Sequence, residues 1–243
     1  MNVIIYAAGV ARRLNHIISN GIKGLIEING MKLIEYQLRW ISKLEIKNIV
    51  LVIGLEHQQY IDFLGDDYNG IPIKYVFNKD YKTKGNMLSL WHAREYCNSN
   101  TLFTTSDLLC NLEDIQLFNN TSFDNKILID NKTKALFTDS DPVKVSIMDK
   151  KIIGIRKKNN ELKSVDGISV GIYQFSYEFM LLLLKNIEIE IDNGNDNQSL
   201  YYSIDTTVKE LKPNPIIMNN CNWIDIDTSK ELNMAIKNIN FFG

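Results

Sequence analysis

Ile4-Ile5-Tyr6-Ala7-Ala8-Gly9-Val10-Ala11-Arg12-Arg13-Leu14, with Lys23 nine residues beyond its end, is the stretch that decides how this chain is read. An apolar run breaks at Ala7-Ala8-Gly9 into a turn of small residues, and a basic pair and then a lone lysine follow. Small residues let a backbone approach a ligand closely, and successive exposed N–H groups can cradle phosphate oxygens. Arg13 and Lys23 would neutralise a triphosphate held there, the arginine by a fork of donors and the lysine as a point charge. On spacing alone a plainer alternative stays open: a strand, a glycine turn and two solvated basic residues.

The chain has 243 residues, 45% hydrophobic and 23% charged, with a formal net charge of −2. That is the composition of an ordinary soluble globular protein, long enough for a substantial core and for one large or two small domains. Such a charge gives no reason to expect nucleic acid or an anionic membrane as a partner. The densest basic run, Arg156-Lys157-Lys158, reads by itself as a solvated loop. Cys97, Cys110 and Cys221 are scattered and form no C-x-x-C pair, which points to reduced thiols rather than disulfides or zinc. His16, His57 and His92 share no metal-ligand spacing. No basic region precedes the first apolar run, and the longest later one, Phe179 to Leu184, is too short to span a bilayer. The expected location is the cytoplasm.

Periodicity predicts strands at Val3–Tyr6, Asn48–Gly54, Ile73–Phe77 and Thr101–Thr105, and helices at Met31–Leu44, Glu56–Leu64 and Asn86–Cys97. Alternation of this kind implies a mostly parallel, Rossmann-like α/β sheet in three layers, with helices on both faces. Ligands of such sheets lie beyond the carboxyl ends of the strands, which puts Ala7–Arg13, Asn78–Asn86 and Asp107 along one edge. After about Asp124 the pattern changes to short strands at Lys126–Ile129, Val143–Met148, Lys151–Ile155 and Ser169–Phe175, with a hairpin turn at Asp149-Lys150. Helices follow at Tyr177–Ile191 and Leu200–Leu211, joined by a polar loop, Asp192–Asn197, of a kind often mobile. With few prolines and no low-complexity linker, we expect one domain over residues 1–243. Its nucleotide-binding half would cover about 1–124, and a smaller mixed β lobe about 125–243 would serve the acceptor.

Asp107 closes a strand, and Trp223-Ile224-Asp225-Ile226-Asp227-Thr228 carries two aspartates at i and i+2, on one face if extended. Together the three carboxylates suit Mg²⁺, a hard cation that takes oxygen ligands. Asp227 also reads as a turn residue, since Thr228 and Glu231 form a capping box for a helix over Ser229–Asn238. Gly85-Asn86 opens a helix where an amide could bond a base or ribose, or where Asn86 simply caps that helix. The absence of G-x-G-x-x-G and of G-K-[ST] weakens dehydrogenase and P-loop readings.

Taken in order, these segments resemble the nucleotidyltransferases that join an NTP to a small phosphorylated acceptor. Ala7 to Leu14 resembles the family's A-A-G-x-G-x-R-L, and Ile22-Lys23-Gly24-Leu25 its P-K-x-L. Asn29 to Tyr36 looks like the segment that follows. Asn78 and Asn86-Met87-Leu88-Ser89-Leu90 resemble the N…N-x-x-S-L of the phosphocholine cytidylyltransferase branch, and Trp223 to Thr228 its W-x-[DE]-I-D-[TS]. The resemblance implies that Arg13 and Lys23 bind triphosphate in the turn of Ala7, Ala8 and Gly9. It further implies that Asn78, Gly85, Asn86 and Ser89 serve the nucleoside, that Asp107, Asp225 and Asp227 hold Mg²⁺, and that Lys157 or Lys158 meets the acceptor phosphate. Three positions depart from it: Ala11 for the second glycine, Ile22 for the proline, and Ser203 where relatives often carry glutamate after Tyr-Tyr.

The expected function is therefore an Mg²⁺-dependent transfer of CMP from CTP to a small phosphorylated or phosphonate acceptor, in the service of cell-surface polysaccharide or lipid precursors. A sugar-1-phosphate nucleotidyltransferase using UTP or dTTP is the alternative within that chemistry. A catalytically silent nucleotide sensor, prompted by Ala11 and Ile22, is the alternative outside it. The acceptor cannot be read from the sequence, and a homodimer stays open.

Overall fold

The structure is a computed structural model that describes residues 1–9, 11–14, 22–54, 57–132, 142–157 and 164–242; Val10, His16 and Lys158, singled out above, lie outside these. In chain order come β1 (Asn2–Ala7), β2 (Glu27–Ile28), β3 (Met31–Lys32), α1 (Leu33–Ile41), β4 (Asn48–Ile53), α2 (His57–Leu64) and β5 (Asp67–Tyr68). Next are β6 (Ile71–Phe77), α3 (Met87–His92), β7 (Thr101–Thr105), β8 (Leu108–Cys110), α4 (Leu112–Asn119), β9 (Lys126–Asp130), β10 (Lys144–Met148) and β11 (Lys151–Arg156). The chain closes with β12 (Gly167–Phe175), α5 (Tyr177–Asp192), α6 (Leu200–Val208), β13 (Asn214–Ile217), β14 (Trp223–Asp225) and α7 (Ser229–Lys237).

β1 runs parallel between β4 and β7, and β6 extends the parallel set beyond β4. Its residues are buried on both faces, as continuous apolar runs in a covered sheet require. Val3 and Ile5 join Ile34 and Leu38 of α1, Tyr60 of α2 and Phe118 of α4 in one core. Ile4, Val50 and Phe103 face the opposite way into a second core with Met87 of α3, Phe179 and Leu183 of α5, and Ile204 of α6. The expected three layers are present.

The strands expected after Asp124 are also present, and they join the same sheet. β12 pairs antiparallel with β7 through Tyr173↔Phe103, while its first residues pair with β10 through Lys144↔Ile168. The change of neighbour coincides with a register shift between Ser169 and Tyr173, where Gly171 takes φ +97°. A bulge of this sort needs a residue tolerant of positive φ. β9 lines the other side of β12, and β13 runs parallel to β9.

Element ends moved where turn chemistry outweighs helical periodicity. The helix expected from Met31 starts at Leu33 and ends at Ile41, because Asn29 (φ 53°) and Gly30 (φ 78°) form a turn that pairs Met31-Lys32 with Glu27-Ile28. Asn-Gly is the common two-residue hairpin loop. The helix expected over Asn86–Cys97 is α-helical only to His92 and continues as a 3₁₀ turn at Arg94–Tyr96. β8, α4 and β13 had no counterpart among the expectations. β8 is three residues long and finds its partner, β14, only after the chain has crossed the molecule.

The β10–β11 turn lies where expected, with Asp149 at φ 51° and Lys150 at φ 60°. A non-glycine residue at such φ costs ~1–2 kcal/mol, of which glycine's own chain entropy returns part. Lys150→Gly should therefore raise stability by about 0.5–1 kcal/mol, read as a higher urea midpoint at unchanged slope. A lower midpoint would contradict the turn geometry.

Candidate active site

Four segments converge beyond the carboxyl ends of β1, β4, β6 and β7. After β1 the chain turns through Ala8 and the exposed Gly9 into a 3₁₀ turn at Arg12–Leu14. Ala11 does not crowd this turn: it is 1% exposed and packs with Leu14, Ile26 and Leu109. Ile22, in the proline position, is likewise buried, against the α1 and α2 side of the sheet. Both departures from the family pattern have become core contacts.

The 3₁₀ turn Lys23–Leu25 sits directly on the end of β7. A Cβ on Gly24 would lie 2.3 Å from the Tyr60 hydroxyl and 3.1 Å from the Ser106 side chain, so only glycine fits. The close seat brings Lys23 Nζ to 2.8 Å from Asp107 Oδ2. Lys23 also ion-pairs with Asp227, which pairs in turn with the more exposed Arg13.

Asp225 and Asp227 reach this place through a two-stranded ribbon. β14 pairs antiparallel with β8, Asp225 opposite Leu108, and the Ile226 N–H donates to the Asp107 carbonyl at 3.1 Å. Carboxylate oxygens of Asp107, Asp225 and Asp227 all lie within 4.8 Å of one another. Asp227 is both a member of this cluster and the turn residue ahead of α7. Glu231 accepts from the Asp227 and Thr228 N–H groups at 3.1 and 2.5 Å, closing the capping box of α7. With its backbone held there, Asp227 turns its carboxylate to Lys23 and Arg13.

Electrostatics follow from that packing. Burial alone would lower the Lys23 pKa, but Asp107, Asp227 and Asp225 outweigh it and hold the ammonium above its ordinary 10.5. Burial would raise the Asp227 carboxyl, and the charges of Lys23 and Arg13 outweigh that and hold it below 3.8. Three oxygen-donor carboxylates so close together fit a hard divalent cation.

Above the cluster opens a cleft of about 430 Å³ lined by Ala11, Arg13, Lys23, Tyr81, Lys82, Lys84 and Asp227. Lys82 and Lys84 were missed by sequence reasoning. Their signal was alternate lysines in a loop already placed at the ligand edge. Tyr81 is wedged against the end of β4, where a Cβ on Gly54 would meet its ring at 2.7 Å and the Ala8 carbonyl at 3.1 Å.

The other expected residues have different surroundings. Asn78 and Ser89 are buried and bonded to each other, Nδ2 to Oγ at 3.1 Å, while Asn78 Oδ1 takes the Asp80 N–H. Gly85 packs on the loop between α5 and α6: its N–H donates to the Asp196 carbonyl at 3.0 Å, and a Cβ there would lie 2.0 Å from the Gln198 carbonyl. Asn86 makes no side-chain cap bond to α3; its Oδ1 instead accepts from the Leu200 N–H at 2.9 Å. Lys157 stands apart from the cleft lining, its Nζ 5.8 Å from the centre of the Tyr201 ring. The Tyr201 phenol is pushed up by burial, by Tyr173 and by the charge of Asp225. Ser203 is buried, its hydroxyl 3.2 Å from Met87 Sδ.

Residues 3–119, just under half of the chain, match the model of the MobA-like NTP transferase domain. The choline-phosphate cytidylyltransferase of Streptococcus pneumoniae is 34% identical over 39% of this chain and 40% of its own length. The CTP:phosphoglutamine cytidylyltransferase of Campylobacter jejuni is 23% identical over 98% of this chain and 100% of its own. Among solved structures, a CTP:phosphocholine cytidylyltransferase from Streptococcus pneumoniae superposes with a TM-score of 0.80 at 20% identity, covering 98% of both chains. No helix among the described residues is long and apolar enough to cross a membrane.

The Asp227 pairing has a pH signature. A carboxyl whose folded pKa lies below its unfolded value stabilises the fold above the unfolded pKa, near 3.8, and loses that contribution as pH falls through the folded value. The raised Lys23 pKa works at the other end, its contribution present below 10.5 and lost only well above it. In chelator, Asp227→Asn should be less stable than the parent at neutral pH, and the gap should close as both are acidified below the usual carboxylate range. Urea unfolding at stepped pH measures this; a gap independent of pH would mean that the ion pair contributes nothing.

Proposed function

We propose that this chain, whose residues 3–119 match an NTP transferase domain, transfers CMP from CTP to a small phosphorylated or phosphonate acceptor in a Mg²⁺-dependent reaction that releases pyrophosphate. One observation carries the reading: a cleft walled by Arg13, Lys23, Lys82 and Lys84 opens onto the carboxylate of Asp227, which clusters with those of Asp107 and Asp225. Cations on the walls suit a triphosphate, and carboxylates at the base suit the divalent ion that accompanies one. The lean to cytidine rests on the cytidylyltransferases among the relatives.

The chemistry asks for charge and placement. An acceptor phosphate oxygen, already ionised at neutral pH, attacks the α-phosphorus; the bond from that phosphorus to the bridging oxygen breaks, and pyrophosphate leaves in line. Arg13 and Lys23 would offset charge that develops on the phosphoryl and leaving oxygens. Asp107, Asp225 and Asp227 would hold the metal, which when bound supplies Lewis-acid charge to phosphate oxygens. Lys157, beside Tyr201, would meet the acceptor phosphate. CTP and small phosphorylated compounds are cytoplasmic pools, and the reaction would activate such compounds for cell-surface polysaccharide or lipid synthesis there. The retention of Arg13, Lys23, Asp107 and Asp227 together in one cluster favours an enzyme over a silent sensor.

Lys23→Ala and Arg13→Ala should each lower turnover by ~10²–10³, the usual worth of a donor aimed at developing charge. Near-parental rates at saturating nucleotide would remove both from the triphosphate site. Chelator should abolish pyrophosphate release and Mg²⁺ restore it, with Asp107→Asn and Asp227→Asn failing to recover. Activity that persists in chelator would overturn the metal assignment. In a pyrophosphate assay crossing four NTPs with phosphocholine and a panel of phosphorylated acceptors, CTP should give the highest kcat/KM. Preference for UTP or dTTP with a sugar 1-phosphate would move the chain to the sugar-nucleotide branch.

A further inference from the structure

We propose that Asn86 is a positioning residue for the acceptor side of the site and that its side chain acts by capping α6, not by reading the base. The first N–H groups of a helix have no partner within it. Ser199 holds the N-cap position of α6 yet makes no side-chain cap bond, and its hydroxyl is buried without a partner. The bond is made from another segment: Asn86 Oδ1 accepts from the Leu200 N–H at 2.9 Å.

The neighbouring contacts extend the same grip. Lys84 pairs with Asp196 at 2.5 Å, Gly85 donates to the Asp196 carbonyl, and Ser203 of α6 meets Met87 of α3. The loop between α5 and α6, expected to be mobile, is thus clasped by the segment that carries Lys82 and Lys84 into the cleft.

What α6 carries gives the clasp its consequence. Tyr201 follows directly on the capped Leu200 and lies under the Lys157 ammonium. One turn on, Asp205 takes the Ile155 N–H at 3.0 Å and the Arg156 guanidinium at 2.9 and 2.6 Å, which fixes the end of β11 from which Lys157 projects. Both walls of the acceptor side are therefore referred to one helix, and the start of that helix to Asn86. A nucleotide that orders the lysine loop would order the acceptor wall with it. The inference deepens the cytidylyltransferase reading and rests on it for the acceptor's place.

Two substitutions separate capping from base reading. Asn86→Asp keeps an oxygen that can accept from Leu200 and adds a charge favoured at a helix N-terminus, but it removes the amide donor that base reading would use. Asn86→Ala removes both. Hydrogen exchange at Leu200–Ser203, in the full chain, should speed up by about fivefold in the alanine variant, the usual worth of a cap, and stay at the parental rate in the aspartate variant. Calorimetric affinities for CTP and UTP should keep their parental ratio in both variants. With the acceptor selected by the panel, the alanine variant should raise the acceptor KM several-fold more than the CTP KM. Parental exchange in Asn86→Ala would overturn the proposal, as would an aspartate variant that protects α6 but loses the CTP-to-UTP ratio. Failure of Lys23→Ala to weaken CTP binding would count against the nucleotide reading instead, leaving the exchange result to stand or fall on its own.

Discussion

Three carboxylates held within 4.8 Å of one another repel, and the arrangement persists because the Lys23 ammonium sits among them. At such separations unit charges interact by about 1 kcal/mol in water and several times that in a partly buried site. Remove the lysine and the same backbone would hold an acidic cluster offset less well by the more exposed Arg13. Much else in this region serves that placement. Gly24 lets the turn settle onto Tyr60 and Ser106, Ile22 anchors the turn from the core, and the β8–β14 ribbon brings the two downstream aspartates to the end of β7. On the function proposed above, a triphosphate would compete with these carboxylates for the same cations.

The cleft is assembled from loops that share an edge for a topological reason. Parallel strands β7, β1, β4 and β6 all end on one side, so the segments that follow them meet there whatever their sequence. Antiparallel β12 then adds a wall to that edge without starting a second sheet, because its bulge at Gly171 lets one strand pair with β10 at one end and β7 at the other. Through α6 the added wall is tied back to the loop after β6.

The sequence by itself determined the layered sheet and the strands at its centre, and it singled out Asp107, Asp225, Asp227, Lys23 and Arg13 as residues able to carry chemistry. Those features depend on local pattern: two-sided burial writes a continuous apolar run, and a capping box or a small-residue turn is complete within a few positions. Only the tertiary structure decided the partners. Asn78, Gly85, Asn86 and Ser89 have the same letters whether they face a base, a neighbouring helix or each other, and it is contact with residues 11 to 114 positions away that selects among these. Lys82 and Lys84 look like solvated charges until the cleft closes around them. β8 is too short to declare itself without β14, whose Trp223 pairs with its Cys110 across the fold. A side chain's chemistry is local and legible in sequence, whereas what it touches is a property of the packed chain.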